Sequence, residues 1–294
     1  MKRTLLFVNP LTRRNFLAGS SMALAGALWG KQQDAENRVP PKSAGPADAK
    51  LIEDLVAANR ILADQGVVDG YGHVSARHNL DPNRYLLSRS LAPELVTADD
   101  ILEYDLDSTA VDAKGRQLYV ERFIHGEIYK TRPDVKAIVH NHSPSIIPFS
   151  DSTVPLRPMY HMAAFIGEGV PVFEIRKVAG TANMLIGNST AGHALSATLG
   201  KKPAVLMRGH GGVVVGPSLP VAVGRSVYLE INARLQMQAS IIGGPITYLS
   251  PEEAQKATPP DNYQRAWDLW KRKAMKLTGL VMQQELRPRA GAGL

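Results

Sequence analysis

The 294-residue sequence contains no cysteine. This excludes disulfides, thiolate metal sites and a cysteine nucleophile, so any metal must be held by histidine and carboxylate side chains. Aromatic residues make up only 6% of the chain, and no lysine- and arginine-rich run follows the N-terminus, so a nucleic-acid-binding surface is not supported. No G-x-S-x-G motif is present, and nothing in the sequence indicates a serine hydrolase.

The first 27 residues have the features of an export signal. Arg13 and Arg14 precede an apolar run from Leu17 to Trp29, and Ala25-Gly26-Ala27 suits a cleavage site. This run is shorter than the roughly 20 residues that cross a bilayer, so a membrane-anchoring or buried helix is the less favoured alternative. We expect residues 1–27 to be a twin-arginine signal peptide, residues 28–47 to be a flexible leader, and the protein to be periplasmic.

The remainder of the chain alternates helical and strand-like segments. Apolar spacing predicts helices at 47–65, 121–129, 182–199, 217–242 and 251–277, and short strands at 73–77, 84–88, 137–139, 204–207 and 213–215. These segments do not follow a strict strand–helix–strand alternation. The pattern therefore predicts an α/β protein in which helices cover a mixed sheet.

Three histidines stand at the ends of predicted strands. The strand Ala137–Val139 continues into His140-Asn141-His142, and alternate residues of a strand point to the same face. His140 and His142 can therefore direct two imidazoles at one divalent metal ion. His210 lies in a glycine-rich turn that permits close approach to a ligand. Alone, His210 would be read as a surface residue, but beside the histidine pair it is a candidate third ligand.

Glu121 and His125 lie four residues apart on one predicted helix. A carboxylate near a metal can serve as a ligand or as a general base. His125 is expected to orient groups behind the ligands. The alternative for both residues is a solvent-exposed pair without a function.

Together these motifs resemble the class II aldolase/adducin family over residues 47–244. The resemblance implies a three-layer α/β/α fold with a central mixed, largely antiparallel sheet, and we assign the domain to residues 48–280. Residues 281–294 are expected to form a loose tail, as chain termini often do. It also implies a homotetramer with active sites at subunit interfaces and one divalent metal ion per subunit. The implied ligands are His140, His142, His210 and Glu121, with Glu121 also catalytic. Zinc or manganese is expected, although iron and cobalt also suit imidazole ligands.

The rim of the site differs from the family's sugar-phosphate aldolases. Those enzymes hold phosphate with a Gly-Asn-x-Ser turn, a loop containing glycine and a pair of serines. The corresponding segments here are Gly72-His73-Val74-Ser75, Ser88-Arg89-Ser90 and Tyr119-Val120. Most of the phosphate cradle is missing. Arg89 could instead pair with a substrate carboxylate, or it could form a salt bridge to a residue such as Glu94. The candidate substrate-binding residues are His73, Ser75, Ser88, Arg89 and Ser90.

These replacements resemble the decarboxylase-like branch of the family. The predicted reaction is metal-dependent decarboxylation of a hydroxylated aromatic carboxylate, with His161 or Glu121 returning a proton to carbon. His161 lies near the position of a proton-donating tyrosine in the aldolases, and the alternative is a packed interface histidine. A class II aldolase acting on a non-phosphorylated hydroxy-carbonyl compound is the second hypothesis. A non-catalytic adducin-like assembly module is the third.

Overall fold

The computed structural model describes residues 39–181, 183–257 and 263–285. The chain divides into two units, Met1–Val39 and Pro40–Leu294, and the fold belongs to the second unit. The predicted signal peptide, the start of the leader and residues 286–294 of the predicted tail lie outside the described residues. None of the helices in the described ranges combines the length and apolar character that a membrane crossing needs.

One mixed sheet forms the centre of the fold. In the described part of the chain its seven strands are β1 His73–Arg77, β2 Arg84–Ser88, β3 Ile101–Asp105, β4 Ala137–Asn141, β5 Val172–Phe173, β6 Ala204–Met207 and β7 Gly211–Gly216. They are arranged in the order β3-β2-β1-β4-β7-β6-β5. Only the β5–β6 pair is parallel. The predicted mixed, largely antiparallel sheet is confirmed.

Helices of very different lengths connect and cover these strands. The α-helices are α1 Ala49–Asp64, α2 Phe123–Thr131, α3 Ile147–Ser150, α4 Arg176–Ala179, α5 Ser189–Leu199, α6 Leu219–Ile242, α7 Pro251–Ala257 and α8 Gln264–Glu285. Short 3₁₀ turns occur at Pro93–Leu95, Ala98–Asp100, Val120–Arg122 and His161–Ile166. Helix α1 begins after Asp48, whose side chain accepts a hydrogen bond from the Lys50 backbone N–H at 2.7 Å.

The two faces of the sheet carry separate apolar layers. Val74 of β1 and Val139 of β4 belong to a core with α1, α6 and α8, which includes Trp267. Leu87 of β2 and Ile138 of β4 belong to a core with α2 and α5 on the opposite face. Neighbouring residues of β4 thus enter different layers, as expected where side chains alternate across a strand. The predicted fold with helices on both faces is confirmed.

Three predicted helix boundaries are wrong. The helix expected at 182–199 begins at Ser189, because Asn188 caps it by accepting from the Ala191 N–H at 2.9 Å. The single helix expected at 251–277 is two helices, and the sequence between them contains Pro259-Pro260, which cannot continue a helical hydrogen-bond ladder. The helix expected from Glu121 begins at Phe123, since Glu121 has non-helical torsions in a 3₁₀ turn.

Candidate metal centre

The candidate centre lies where β4 ends and β7 begins. Asn141 pairs with Gly212 across the two strands, which places the end of β4 beside the turn that carries His210. A Cβ atom on Gly211 would overlap the carbonyl of Asn141. Glycine at this position therefore lets the β6–β7 turn approach β4 closely enough to bring the histidines together.

The structure brings the four predicted metal ligands together. The Nε2 atom of His142 lies 3.2 Å from that of His140 and 3.0 Å from that of His210. Glu121 Oε2 lies 3.3 Å from His140 Nε2 and 3.4 Å from His210 Nε2. All four ligand atoms lie within 4.8 Å of one another. Glu121 and His140 are buried, whereas His142 and His210 are partly accessible.

Backbone carbonyls orient two of the imidazoles. His140 Nδ1 lies 3.2 Å from the Gly212 carbonyl oxygen, and His210 Nδ1 lies 2.9 Å from that of Met184. A carbonyl oxygen only accepts hydrogen bonds, so each Nδ1 carries the proton and a neutral ring keeps its lone pair on Nε2. The site therefore directs imidazole lone pairs and a carboxylate oxygen at one point.

These groups fit a divalent cation. Two nitrogen or oxygen ligands, each about 2.0–2.2 Å from one metal ion, lie about 3.3–3.6 Å apart at the tetrahedral angle. Four of the six pairs of ligand atoms are 3.0–3.4 Å apart, and the other two pairs lie within 4.8 Å. The predicted cofactor class, a divalent metal ion, is thus compatible with the donor set, and its identity stays a prediction.

Burial and neighbouring charges shift the pKa values of Glu121, His142 and His210. Burial alone would raise the pKa of Glu121, but His140 and His210 outweigh it and hold that pKa well below its usual range. Burial, reinforced by the adjacent histidines, lowers the pKa of His142 to about 4. For His210, the hydrogen bond with Glu121 outweighs burial and raises the pKa. An ionised carboxylate oxygen therefore lies beside imidazole Nε2 atoms that can bind a metal.

A hydrogen bond to Oε1, the second carboxylate oxygen, fixes the orientation of the Glu121 side chain. Its Oε1 accepts a hydrogen bond from the Ile186 backbone N–H at 2.9 Å. The neighbouring Arg122 donates from Nε to the Ser108 carbonyl at 2.9 Å, which anchors the turn that carries Glu121. Only Oε2 of Glu121 points towards the histidines, so the carboxylate has one oxygen for support and one for the site.

A buried polar chain leads away from the centre. His73 Nδ1 lies 2.7 Å from His125 Nε2, and His125 Nδ1 lies 2.6 Å from the Ser75 hydroxyl, which in turn lies 2.9 Å from the Tyr129 hydroxyl. The His73 ring centroid is 5.0 Å from that of His140. His125 therefore contacts His73 rather than a candidate ligand, and its predicted orienting role stays a prediction.

The other predicted site residues occupy varied positions. Arg89 pairs with Asp100 at 2.6 Å, not with Glu94. Ser75 and Ser88 are fully buried, while Ser90 donates its backbone N–H to the Gln117 carbonyl. His161 is exposed at the start of a 3₁₀ turn and lies outside the four-residue cluster. The substrate contacts predicted for these residues and for His73 stay predictions.

Some contributors to the centre were not predicted. The Met184 carbonyl and the Ile186 N–H act through the backbone, so residue type gives no signal for them. Glu230 of α6 accepts hydrogen bonds from both hydroxyls of Ser143 and Ser145, and from the Ser145 N–H at 3.1 Å. This clamp holds the segment that directly follows His142. The sequence did contain a signal for the role of Glu230, namely an acidic residue on the buried side of an apolar helix.

Comparison with known proteins identifies the family. The profile of the Class II Aldolase and Adducin N-terminal domain matches residues 53–237. The chain belongs to the class II aldolase/adducin family. The structure of L-fuculose 1-phosphate aldolase from Glaciozyma antarctica has the same fold, with a TM-score of 0.67, 24% identity and coverage of 83% of this chain and 97% of that one.

The similar curated proteins include decarboxylases. The decarboxylase tropJ of Talaromyces stipitatus is 33% identical over 75% of this chain and 92% of its own length. The 3,4-dihydroxyphthalate decarboxylase of Arthrobacter keyseri is 29% identical over 73% of this chain and 90% of its own length. These relatives confirm the predicted class, a carbon–carbon lyase for which decarboxylation is the main expectation.

Proposed function

We propose that the protein is a divalent-metal-dependent decarboxylase of hydroxylated aromatic carboxylates. The observation that carries the proposal is the convergence of Glu121 Oε2 with the Nε2 atoms of three histidines, all within 4.8 Å of one another. A divalent ion bound there would act as a Lewis acid for negative charge developing on a substrate oxygen. The decarboxylase relatives support the reaction and the aromatic class of substrate.

The side chains around the centre would divide the remaining tasks. Cleavage releases CO₂ and leaves an electron pair on carbon, which must then receive a proton. Glu121 directs Oε2 at the centre, which makes it the candidate acceptor for the proton of a substrate hydroxyl and a candidate donor of a proton to carbon. His161 is the second candidate donor. His73 and Arg89 are the proposed contacts for the substrate carboxylate, and Arg89 would have to share its guanidinium with Asp100.

Release of CO₂ from candidate acids tests this function. Protein loaded with Zn²⁺ or Mn²⁺ is incubated with dihydroxyphthalates and dihydroxybenzoates while CO₂ is measured. We expect release that is lost with a chelator and in Glu121→Gln, but kept in a His193→Ala control, since His193 is largely exposed on α5. Full turnover and metal binding in Glu121→Gln would contradict the role of the carboxylate.

An aldolase acting on a non-phosphorylated hydroxy-carbonyl substrate is the alternative. It would use the same metal ligands, because both reactions leave negative charge on a substrate oxygen. The products separate the two reactions: an aldolase releases an aldehyde and no CO₂. An adducin-like assembly role without catalysis would instead be indicated by purified protein that binds no divalent ion at one per chain.

We further propose a homotetramer in which His161 reaches the active site of a neighbouring subunit. The family resemblance and the exposure of His161 support this arrangement. Light scattering measures the assembly directly. Mixing His161→Ala chains with Glu121→Gln chains tests the sharing of sites, because regained activity in mixed tetramers requires each chain to supply the residue that the other lacks.

Export by the twin-arginine route is proposed for the full chain. The support is the sequence around Arg13-Arg14 and the apolar run that follows. Fractionation of cells that produce the protein should recover it from the periplasm, and replacement of both arginines by lysine should retain it in the cytoplasm. Periplasmic recovery of the double variant would contradict this route.

A further inference from the structure

Tyr71 is a large aromatic side chain left in solvent beside the metal centre. It is 71% exposed, although it lies only two residues before His73 at the start of β1. Its ring centroid is 6.3 Å from that of His142, with an angle of 31° between the planes. His142 is one of the two partly accessible members of the cluster. Tyr71 thus lies in solvent beside a candidate ligand that is itself partly accessible.

The backbone that presents Tyr71 is firmly positioned. The Tyr71 N–H donates to the Asp69 side chain at 2.8 Å. The following Gly72 has φ of +92°, and a Cβ there would come within 2.7 Å of Val68 Cγ1 and 3.0 Å of the His140 carbonyl oxygen. The turn therefore packs directly on the backbone of β4, which fixes the backbone position from which the Tyr71 ring comes beside His142.

From this placement we infer that Tyr71 is a specificity residue whose ring stacks against the aromatic ring of the substrate. The inference rests on the proposed function, because a substrate held at the centre through a ring hydroxyl would extend its plane towards the open side. Aromatic rings pair in offset or tilted arrangements at centroid distances of about 4.5–7 Å. An aliphatic hydroxy acid offers no such surface. Tyr71 would therefore favour planar aromatic ligands over small aliphatic ones at the same metal.

Binding of two metal-chelating probes tests the inference without requiring turnover. Catechol and glycolate both present adjacent oxygens, but only catechol has a ring. Calorimetry with Zn²⁺- or Mn²⁺-loaded protein compares Tyr71→Leu with the wild type and with Tyr71→Phe. We expect Tyr71→Leu to weaken catechol about 2- to 12-fold, to leave glycolate within about 2-fold, and Tyr71→Phe to bind both probes like the wild type.

Three results would overturn the inference. Unchanged catechol affinity in Tyr71→Leu would exclude stacking, and an equal loss for both probes would indicate a disturbed centre. A change in oligomeric state with unaltered catechol affinity would make Tyr71 a subunit contact. Failure of the proposed function is distinguishable: absence of CO₂ release together with Tyr71-dependent catechol binding would reject decarboxylation and keep the stacking role.

Discussion

Removal of one imidazole should uncouple the protein's stability from divalent metal. We choose His210→Ala because His210 lies in a turn between strands, whereas His140 is fully buried within the sheet. The matched control is His193→Ala, which removes an exposed histidine on α5. Each protein is freed of metal with a chelator, dialysed, and then unfolded thermally with and without Zn²⁺ or Mn²⁺.

The expected size of the effect follows from linkage between binding and folding. A cation that binds only the folded state stabilises it by about 2.7 kcal/mol when its concentration is 100 times Kd. For a domain of this size, 1 kcal/mol shifts Tm by about 2–4 °C, so the wild type and the control should gain about 5–11 °C. His210→Ala loses a ligand that lies 3.0 Å from His142 Nε2 and 3.4 Å from Glu121 Oε2, and most of that gain should disappear.

The metal-free proteins provide a second measurement. Removal of the His210 ring from the metal-free protein loses its hydrogen bonds to the Met184 carbonyl and to Glu121, each of which contributes about 1 kcal/mol. The reasoning would be refuted if His210→Ala gained as much from metal as the wild type, or if no divalent ion shifted Tm in any of the proteins.

Three further changes probe the surroundings of the centre. Gly72→Ala should lower the free energy of unfolding by about 1–3 kcal/mol, because Gly72 has a positive φ and a Cβ there would be crowded. Gly70→Ala is the control and should leave the free energy of unfolding unchanged, since a Cβ at Gly70 meets open space. Denaturant titration measures both variants. Burial lowers the pKa of His125 to about 3, so the unfolded chain binds one more proton than the folded chain between about pH 6.5 and 3. Stability should therefore decrease as the pH is lowered through this range, by up to about 1.4 kcal/mol per pH unit from this group, and His125→Gln should show a correspondingly shallower slope than His193→Gln. Glu230→Ala should weaken metal binding as well as stability, since it releases the segment after His142, and a variant with unchanged metal affinity would contradict that role.

The sequence predicted the elements that carry the ligands, because those elements have strong local signals. The strand His73–Arg77 was predicted with its observed bounds, and the histidine pair was predicted from the alternation of residues along β4. The chain order of His140, His142 and His210 also carried the family resemblance. These features depend on residue type and spacing, which a sequence displays directly.

What escaped prediction depends on contacts between distant segments. Residues 183–188 were expected to belong to the helix at 182–199, yet Met184 and Ile186 supply a carbonyl and an N–H to the centre. Backbone groups have no residue-type signature, so tertiary contacts alone define such roles. The partner of Arg89 could not be predicted either, because Glu94 and Asp100 both lie close to it in sequence. Only the fold places Asp100 Oδ1 2.6 Å from Arg89 Nε.

The hydrogen bonds that support the ligand side chains explain how the same metal centre can serve enzymes with different substrates. His140 and His210 are oriented by carbonyls of Gly212 and Met184, and Glu121 by the N–H of Ile186. These supports are backbone groups, so a side-chain replacement at the rim leaves them in place. The rim segments 72–75 and 88–90 lie on β1, β2 and their adjoining turns, whereas the three supports belong to β7 and to the segment that precedes α5. Substrate preference can therefore change through rim side chains such as Tyr71 and Arg89 without repositioning the ligands, which is the separation that the catechol and glycolate experiment measures.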